Sequence, residues 1–410
     1  MSKREDLGFA PGGFPRPDVP RLSVPERDNR WARVRALMDR DGLDAILALN
    51  NSANMDQSNG NGRYLSSIGG NGAQVSVVFP RHGEVTAVTG PVPTPDYWLQ
   101  YQEWVTDIRT SFFTSTPVIV ERLKELDLEG GRIGIAGLSG VAREPDGTVC
   151  LGTFTALQTE LPHAEFVNAT LLMDEVRFVK SDEEITLLQR GVQCVEAAFD
   201  VLDREATAGA PESWVYAQMM ASMIEKGAEP NQLLLMAAGS PLPPVATMLP
   251  SVRPLGRDDV VMIEADAKWG GYLGHSTTTV WVDKPDDVDR AMAELQVEAT
   301  QKCWDALRPG AMLGDFAALC ADVAAGSGFE CQPIMHSRGT GLDAPVLVAR
   351  ARDDRTKNWA VEENSVFIVK PRVTSRDGKR KVIWGDTVVV TQDGAQRLGS
   401  RPPLAAAIGG

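Results

Sequence analysis

The sequence predicts an α+β protein of two domains. Three observations carry that prediction. At 410 residues the chain is long for one hydrophobic core. Up to residue 175, short apolar strands alternate with helices in an α/β manner. Beyond it, helices come in pairs, each pair followed by strands, which implies an internally duplicated α+β domain. The expected divisions are an N-terminal arm over residues 1–25, a small α/β domain over 26–175 and a larger domain over 176–410.

The arm carries four prolines and two glycines between Phe9 and Pro20, which preclude a helix. A helix over Pro25–Asp41 follows, capped by Ser23, with Trp31, Val34, Leu37 and Met38 at helical spacing. Strands are expected at 43–49, 73–80, 84–90 and 130–138, and a helix near Val118–Leu126. Another helix and a short strand are expected within 154–170. The polar loop Asn50–Gly62 leads into Arg63 and Tyr64, which are candidates to reach a ligand. Ser181 and Glu184 form a capping box at the head of a long helix whose apolar face is Ile185, Leu188, Val192, Val195 and Phe199. A helix over Glu212–Lys226 is expected to bury Trp214, Ala217, Met220, Ala221 and Ile224. Strand-like LLLMAAG precedes a hairpin, Asp259–Val282, whose arms meet at Gly-Gly-Tyr. Two further helices, over Asp287–Leu307 and Leu313–Gly326, lead to the β-rich end.

Hydrophobic residues make up 43% and charged residues 23%, as in ordinary globular chains. A net charge of -14 with no basic run argues against nucleic acid or an anionic membrane as a partner, because phosphate binding needs clustered Lys and Arg. Five cysteines without a CxxC fit a reducing compartment and give no zinc signal. The polar, Pro/Gly-rich start is not a signal peptide, and no apolar run reaches the ~20 residues of a membrane span. A cytoplasmic protein is expected.

Arg177–Ile185, RFVKSDEEI, resembles the entry to the catalytic domain of the pita-bread superfamily, which contains creatinase, prolidase, aminopeptidase P and methionine aminopeptidase. Four further segments keep the order of its blocks: the hairpin, HSRGTGLDAP, VEENSVFIVKPRV and VIWGDTVVVTQDG. The resemblance implies a creatinase-type N-terminal domain and a pita-bread catalytic domain. It also implies a homodimer in which the N-domain of one subunit closes over the partner's pocket, with Asn50–Tyr64 as the contributing loop.

The peptidases of that superfamily hold two metal ions with two aspartates, a histidine and two glutamates. Matched residue by residue, those places fall at Glu264, His275, Arg338, Lys370 and Gly385, with Asp266 and Asp386 beside the first and last. Arg and Lys offer no lone pair to a metal and repel a dication. No dinuclear metal site or other cofactor is therefore expected, and a lone metal on Glu264, Asp266 and His275 is opposed by the adjacent Arg338 and Lys370. Instead, His275 is the candidate acid/base, oriented by Glu264 or Asp266, with His336 as a second acid/base. Arg338, Lys370 and Asp386, with Arg63 and Tyr64, are the candidate substrate-binding residues. The histidine that creatinase uses upstream of the hairpin is replaced at or near Thr247. The expectation is a metal-independent, creatinase-like hydrolase of a C–N bond in a small charged or carboxylate-bearing substrate. The alternatives are a lyase acting on a small carboxylate by proton abstraction, ordinary peptidase activity, ranked after it because it relies on a metal-bound hydroxide, and a non-catalytic scaffold.

Overall fold

The computed structural model describes residues 22–49, 60–70, 74–90, 95–112, 114–139, 146–230, 233–243, 250–341, 343–348 and 354–404. Of the expected arm, residues 1–21 lie outside these; Val24 and Pro25 already belong to the first helix. Two compact units form, one up to Arg177 with Thr340–Leu342, the other Phe178–Gly339 with Asp343 onward.

The first unit runs α1 (Val24–Asp41), β1 (Ala45–Ala48), α2 (Gly60–Ser66), β2 (Gln74–Pro80), β3 (Thr86–Gly90), α3 (Pro95–Tyr101), β4 (Asp107–Thr110), α4 (Thr116–Glu125), β5 (Arg132–Ala136), α5 (Leu151–Glu160), β6 (Glu165–Asn168) and α6 (Thr170–Phe178). Its strands form one mixed sheet in the order β4-β3-β2-β1-β5-β6. Alternation along β1 sends Ile46 into the core with Val34 and Met38, and Leu47 into the opposite core with Ile119 and Leu123. Ser23 caps α1 by accepting from the Glu26 amide at 3.1 Å. Tyr64, a candidate to reach a ligand, is packed inside the first unit. It is buried under the Arg30 guanidinium, 4.3 Å from its ring centroid, and its hydroxyl donates to the Val176 carbonyl. The loop expected over Asn50–Gly62 ends early, because α2 begins at Gly60; its residues 50–59 lie outside the described ones.

The second unit runs α7 (Asp182–Glu205), α8 (Glu212–Glu225), β7 (Leu233–Gly239), β8 (Val260–Trp269), β9 (Tyr272–Trp281), α9 (Asp287–Ala306), α10 (Asp315–Ala324), β10 (Phe329–Gln332), β11 (Ile334–Ser337), β12 (Val346–Val348), α11 (Asp354–Lys357), β13 (Val366–Val369), β14 (Arg372–Ser375), β15 (Lys381–Ile383), β16 (Gly385–Thr391) and β17 (Gly394–Arg397). The large sheet is ordered β12-β11-β13-β16-β9-β8-β7, with β17 on β16. At its centre, the β8–β9 hairpin turns through Gly270 and Gly271, at φ 56° and 91°. Such a two-residue turn needs positive φ at both positions, which glycine supplies without strain.

Helix α7 fixes the hairpin from behind. The capping box forms as read, Ser181 Oγ accepting from the Glu184 amide at 3.3 Å and Glu184 accepting from the Ser181 amide at 2.9 Å. The other Glu184 oxygen accepts from the Tyr272 hydroxyl at 2.9 Å, tying the turn to the helix start. Further along, Gly191 lies so close to the hairpin that a Cβ there would be 2.6 Å from the Gly274 nitrogen and 2.7 Å from the Ala267 oxygen.

Helix α8 is turned relative to expectation. Val215, Met219 and Met223 point inward, while Trp214 and Ile224 are 52% and 48% exposed. The helix carries two overlapping apolar stripes, so spacing alone does not choose between them; packing against α7 and β7 does.

Candidate active site

Strand register assembles the site. Asp266 lies directly opposite His275, and Glu264 opposite Thr277, so all four side chains share one face of the hairpin. Strand ends supply the cations. Lys370 follows β13 at Pro371, where the chain leaves the large sheet for β14, and Arg338 follows β11. Thr387 on β16 clamps the backbone of His275, accepting from its amide at 3.2 Å and donating to its carbonyl at 2.6 Å.

His275 is 1% exposed and held at both ring nitrogens. Nδ1 bonds Asp266 Oδ1, and Nε2 lies 2.9 Å from the ammonium of Lys370. An ammonium only donates, so Nε2 is the acceptor and Nδ1 carries the proton. Lys370 also donates to Glu264 Oε1 at 2.5 Å. Arg338 donates to Asp266 Oδ1 at 2.7 Å and to the Leu273 carbonyl at 3.2 Å. The His336 ring stands edge-on to His275, centroids 5.3 Å apart, with its Nδ1 3.5 Å from Arg338 Nη1.

Burial, then the charge of Lys370, lowers the pKa of His275 to about 4, with Asp266 opposing. The imidazole is therefore neutral at pH 7. For Glu264, burial works toward a higher pKa, but Lys370 and His275 overcome it and bring the group to about 2. The Glu264 side chain, 24% exposed, is the acidic member of the cluster that reaches the surface.

Six of the expected site residues thus come together: Glu264, Asp266, His275, His336, Arg338 and Lys370. Asp386 does not join them. Gly385 pairs with Thr277 on the site's face, so Asp386, paired with Ser276, points to the opposite side of the sheet. There it accepts from Ser276 at 3.1 Å and from Arg397 at 3.0 Å. Burial raises its pKa, with Arg397 opposing. Arg63 and Tyr64 belong to the first unit, and the Arg63 side chain packs along Gly69. The stretch at Thr247 lies outside the described residues.

Sequence reading missed Thr277, whose buried hydroxyl finds no hydrogen-bond partner among the described residues. It also missed a buried ion pair beside the Arg338 segment. Lys180 donates to Ser337 Oγ at 3.2 Å and to Asp343 at 3.3 Å. Position was the available signal for Thr277, since residue 277 shares the parity of 275.

Glu264, His275 and His336 offer ligand atoms within 4.8 Å of one another. However, Lys370 already donates to two of the three and Arg338 approaches the third. A dication there would have to displace or face two fixed cations, so the residues present do not fit it.

Residues 186–392 match metallopeptidase family M24, and residues 30–179 match the creatinase/prolidase N-terminal domain. An Xaa-Pro dipeptidase of Pyrococcus horikoshii is 22% identical over 380 residues, covering 89% of this chain and 95% of that protein. An Xaa-Pro dipeptidase structure from Bacillus anthracis matches with a TM-score of 0.74 at 21% identity, over 92% of this chain and 98% of that one. An X-Pro aminopeptidase structure from Thermotoga maritima matches with a TM-score of 0.73 at 19% identity, over 91% and 98%. These findings correct the functional expectation. The relatives are named as dipeptidases and their family as metallopeptidases, which overturns the creatinase-like hydrolase of small molecules and gives neither its metal independence nor its lyase runner-up any support. The two-domain fold is the expected one, and the chain belongs to metallopeptidase family M24.

Proposed function

We propose that this chain is a hydrolase of the peptide C–N bond acting on short peptides, with Xaa-Pro dipeptides as the first class to test. One observation carries the reading. His275, His336, buried Asp266 and the partly exposed Glu264 share one cluster in a chain that aligns along 89% of its length with a named Xaa-Pro dipeptidase.

In this reading His275 is the base. Asp266 holds its Nδ1 proton, which leaves the Nε2 lone pair to take a proton from an attacking water once Lys370 releases it and to return that proton to the leaving amine as the C–N bond breaks. Lys370, with three protons to donate, stabilises charge developing on the scissile carbonyl oxygen. Glu264 holds the ammonium in place. Arg338 is a positioning residue, since its guanidinium neutralises Asp266. Thr277, facing the same space, is the hydroxyl available to a substrate polar group.

The proposal includes a cytoplasmic homodimer. All five cysteines are free, as a reducing compartment keeps them, and no helix among the described residues is long and apolar enough to cross a membrane. Light scattering that returned only monomer would remove the dimer.

The test is amine release from a panel of Xaa-Pro and Xaa-Ala dipeptides, each with and without added divalent metal. Release of proline that disappears in His275→Ala supports the reading. No cleavage of any peptide under either condition overturns it.

A further inference from the structure

We infer that Lys370 is a built-in cation seated on a latent divalent-metal site, and that removing its side chain opens that site. The family is described as metallopeptidases, yet the donors in this chain are already satisfied from within. The disagreement is specific in its geometry. His275 Nε2 and Glu264 Oε1 lie 3.5 Å apart, and the Lys370 nitrogen lies 2.9 Å from the first and 2.5 Å from the second. A pair of ligands sharing a tetrahedral ion at ~2.0–2.1 Å stands ~3.4 Å apart. The ammonium therefore uses the lone pairs that a dication would use.

His336 supplies a third donor within 4.8 Å of both. Two imidazoles and one carboxylate form a set that suits Zn²⁺ or Co²⁺ and leaves a position open. Arg338 does not close the site in the same way. Its charge is compensated by Asp266, and its 3.5 Å approach to His336 is longer than a strong hydrogen bond. Glu264 retains the freedom of a partly exposed side chain to close on an ion.

Gly385 makes the arrangement self-consistent. A Cβ at that position would lie 2.6 Å from Lys370 Cα. The strand residue facing the site there has no side chain to add a ligand, and the adjoining backbone leaves no room for one. This inference concerns cation occupancy alone and stands whether or not the substrate is a peptide.

The experiment titrates metal-free, full-length wild type, His275→Ala, Lys370→Ala, the near-isosteric Lys370→Met and Lys370→Ala/His275→Ala with Co²⁺ and Zn²⁺. Binding is followed by calorimetry and by the visible absorption of Co²⁺. The expected result is one equivalent bound at least 100-fold more tightly by the Lys370 variants than by wild type. The double variant should lose that gain. Circular dichroism verifies that each variant is folded. Stoichiometric Co²⁺ binding by wild type that His275→Ala abolishes would overturn the inference, as would a folded Lys370→Ala or Lys370→Met that binds no better than wild type.

Discussion

Gly385 and Lys370 share one space. Gly385 lies opposite Thr277 on the site's face, and the backbone of Lys370 presses on it where a side chain would begin. The backbone course through Val369 and Lys370 therefore leaves no room for a side chain at 385. Gly385→Ala is expected to lower stability by about 1–3 kcal/mol through overpacking. Urea unfolding of the purified variant checks this, and an unchanged midpoint would show that the backbone yields freely.

Arg338 compensates Asp266 inside the sheet, both nearly inaccessible. Arg338→Met should cost about 3–5 kcal/mol, because it leaves a buried carboxylate without its cation. Adding Asp266→Asn should recover part of that loss, since the two changes act on one pair. A double variant no more stable than Arg338→Met would contradict the pairing.

Acid should weaken the fold in two stages. Folded His275 resists protonation until about pH 4, whereas the unfolded chain takes up that proton near 6.5. Its contribution is full above pH 6.5 and is lost as pH falls toward 4, on the order of 3 kcal/mol. Glu264 behaves likewise between its ordinary 4.5 and about 2. Unfolding midpoints measured from pH 7 to pH 4.5 should fall in wild type and fall less in His275→Gln. Equal slopes would place the titration elsewhere.

Asp386 separates stability from chemistry. Because it faces away from the cluster, Asp386→Asn should leave peptide turnover within about twofold while weakening the Arg397 contact by about 1–3 kcal/mol. A tenfold loss of kcat with unchanged stability would return it to the site.

The hairpin was legible because its cues agree: a Gly-Gly turn, apolar arms and polar residues spaced by two. Glu264, Asp266 and His275 follow from that register alone. Asp386 was misplaced by one residue, and strict alternation with Gly385 was the cue that sequence reading passed over. The α8 face failed for a different reason, since two apolar stripes compete and only neighbouring elements decide between them. Tyr64 carried no local sign of burial, because its partner Arg30 lies 34 residues earlier. The Lys370–His275 contact was beyond sequence as well, since it joins residues 95 apart.

That contact sets the state of His275, and the chain has only four histidines to resolve. Nitrogen-15 NMR of histidine-labelled protein, assigned with His275→Gln, reads its tautomer and titration directly. The account predicts a neutral ring at pH 7, protonated at Nδ1 with Nε2 accepting, and unchanged down to about pH 4. A ring protonated at Nε2, or one titrating at its ordinary 6.5, would contradict it.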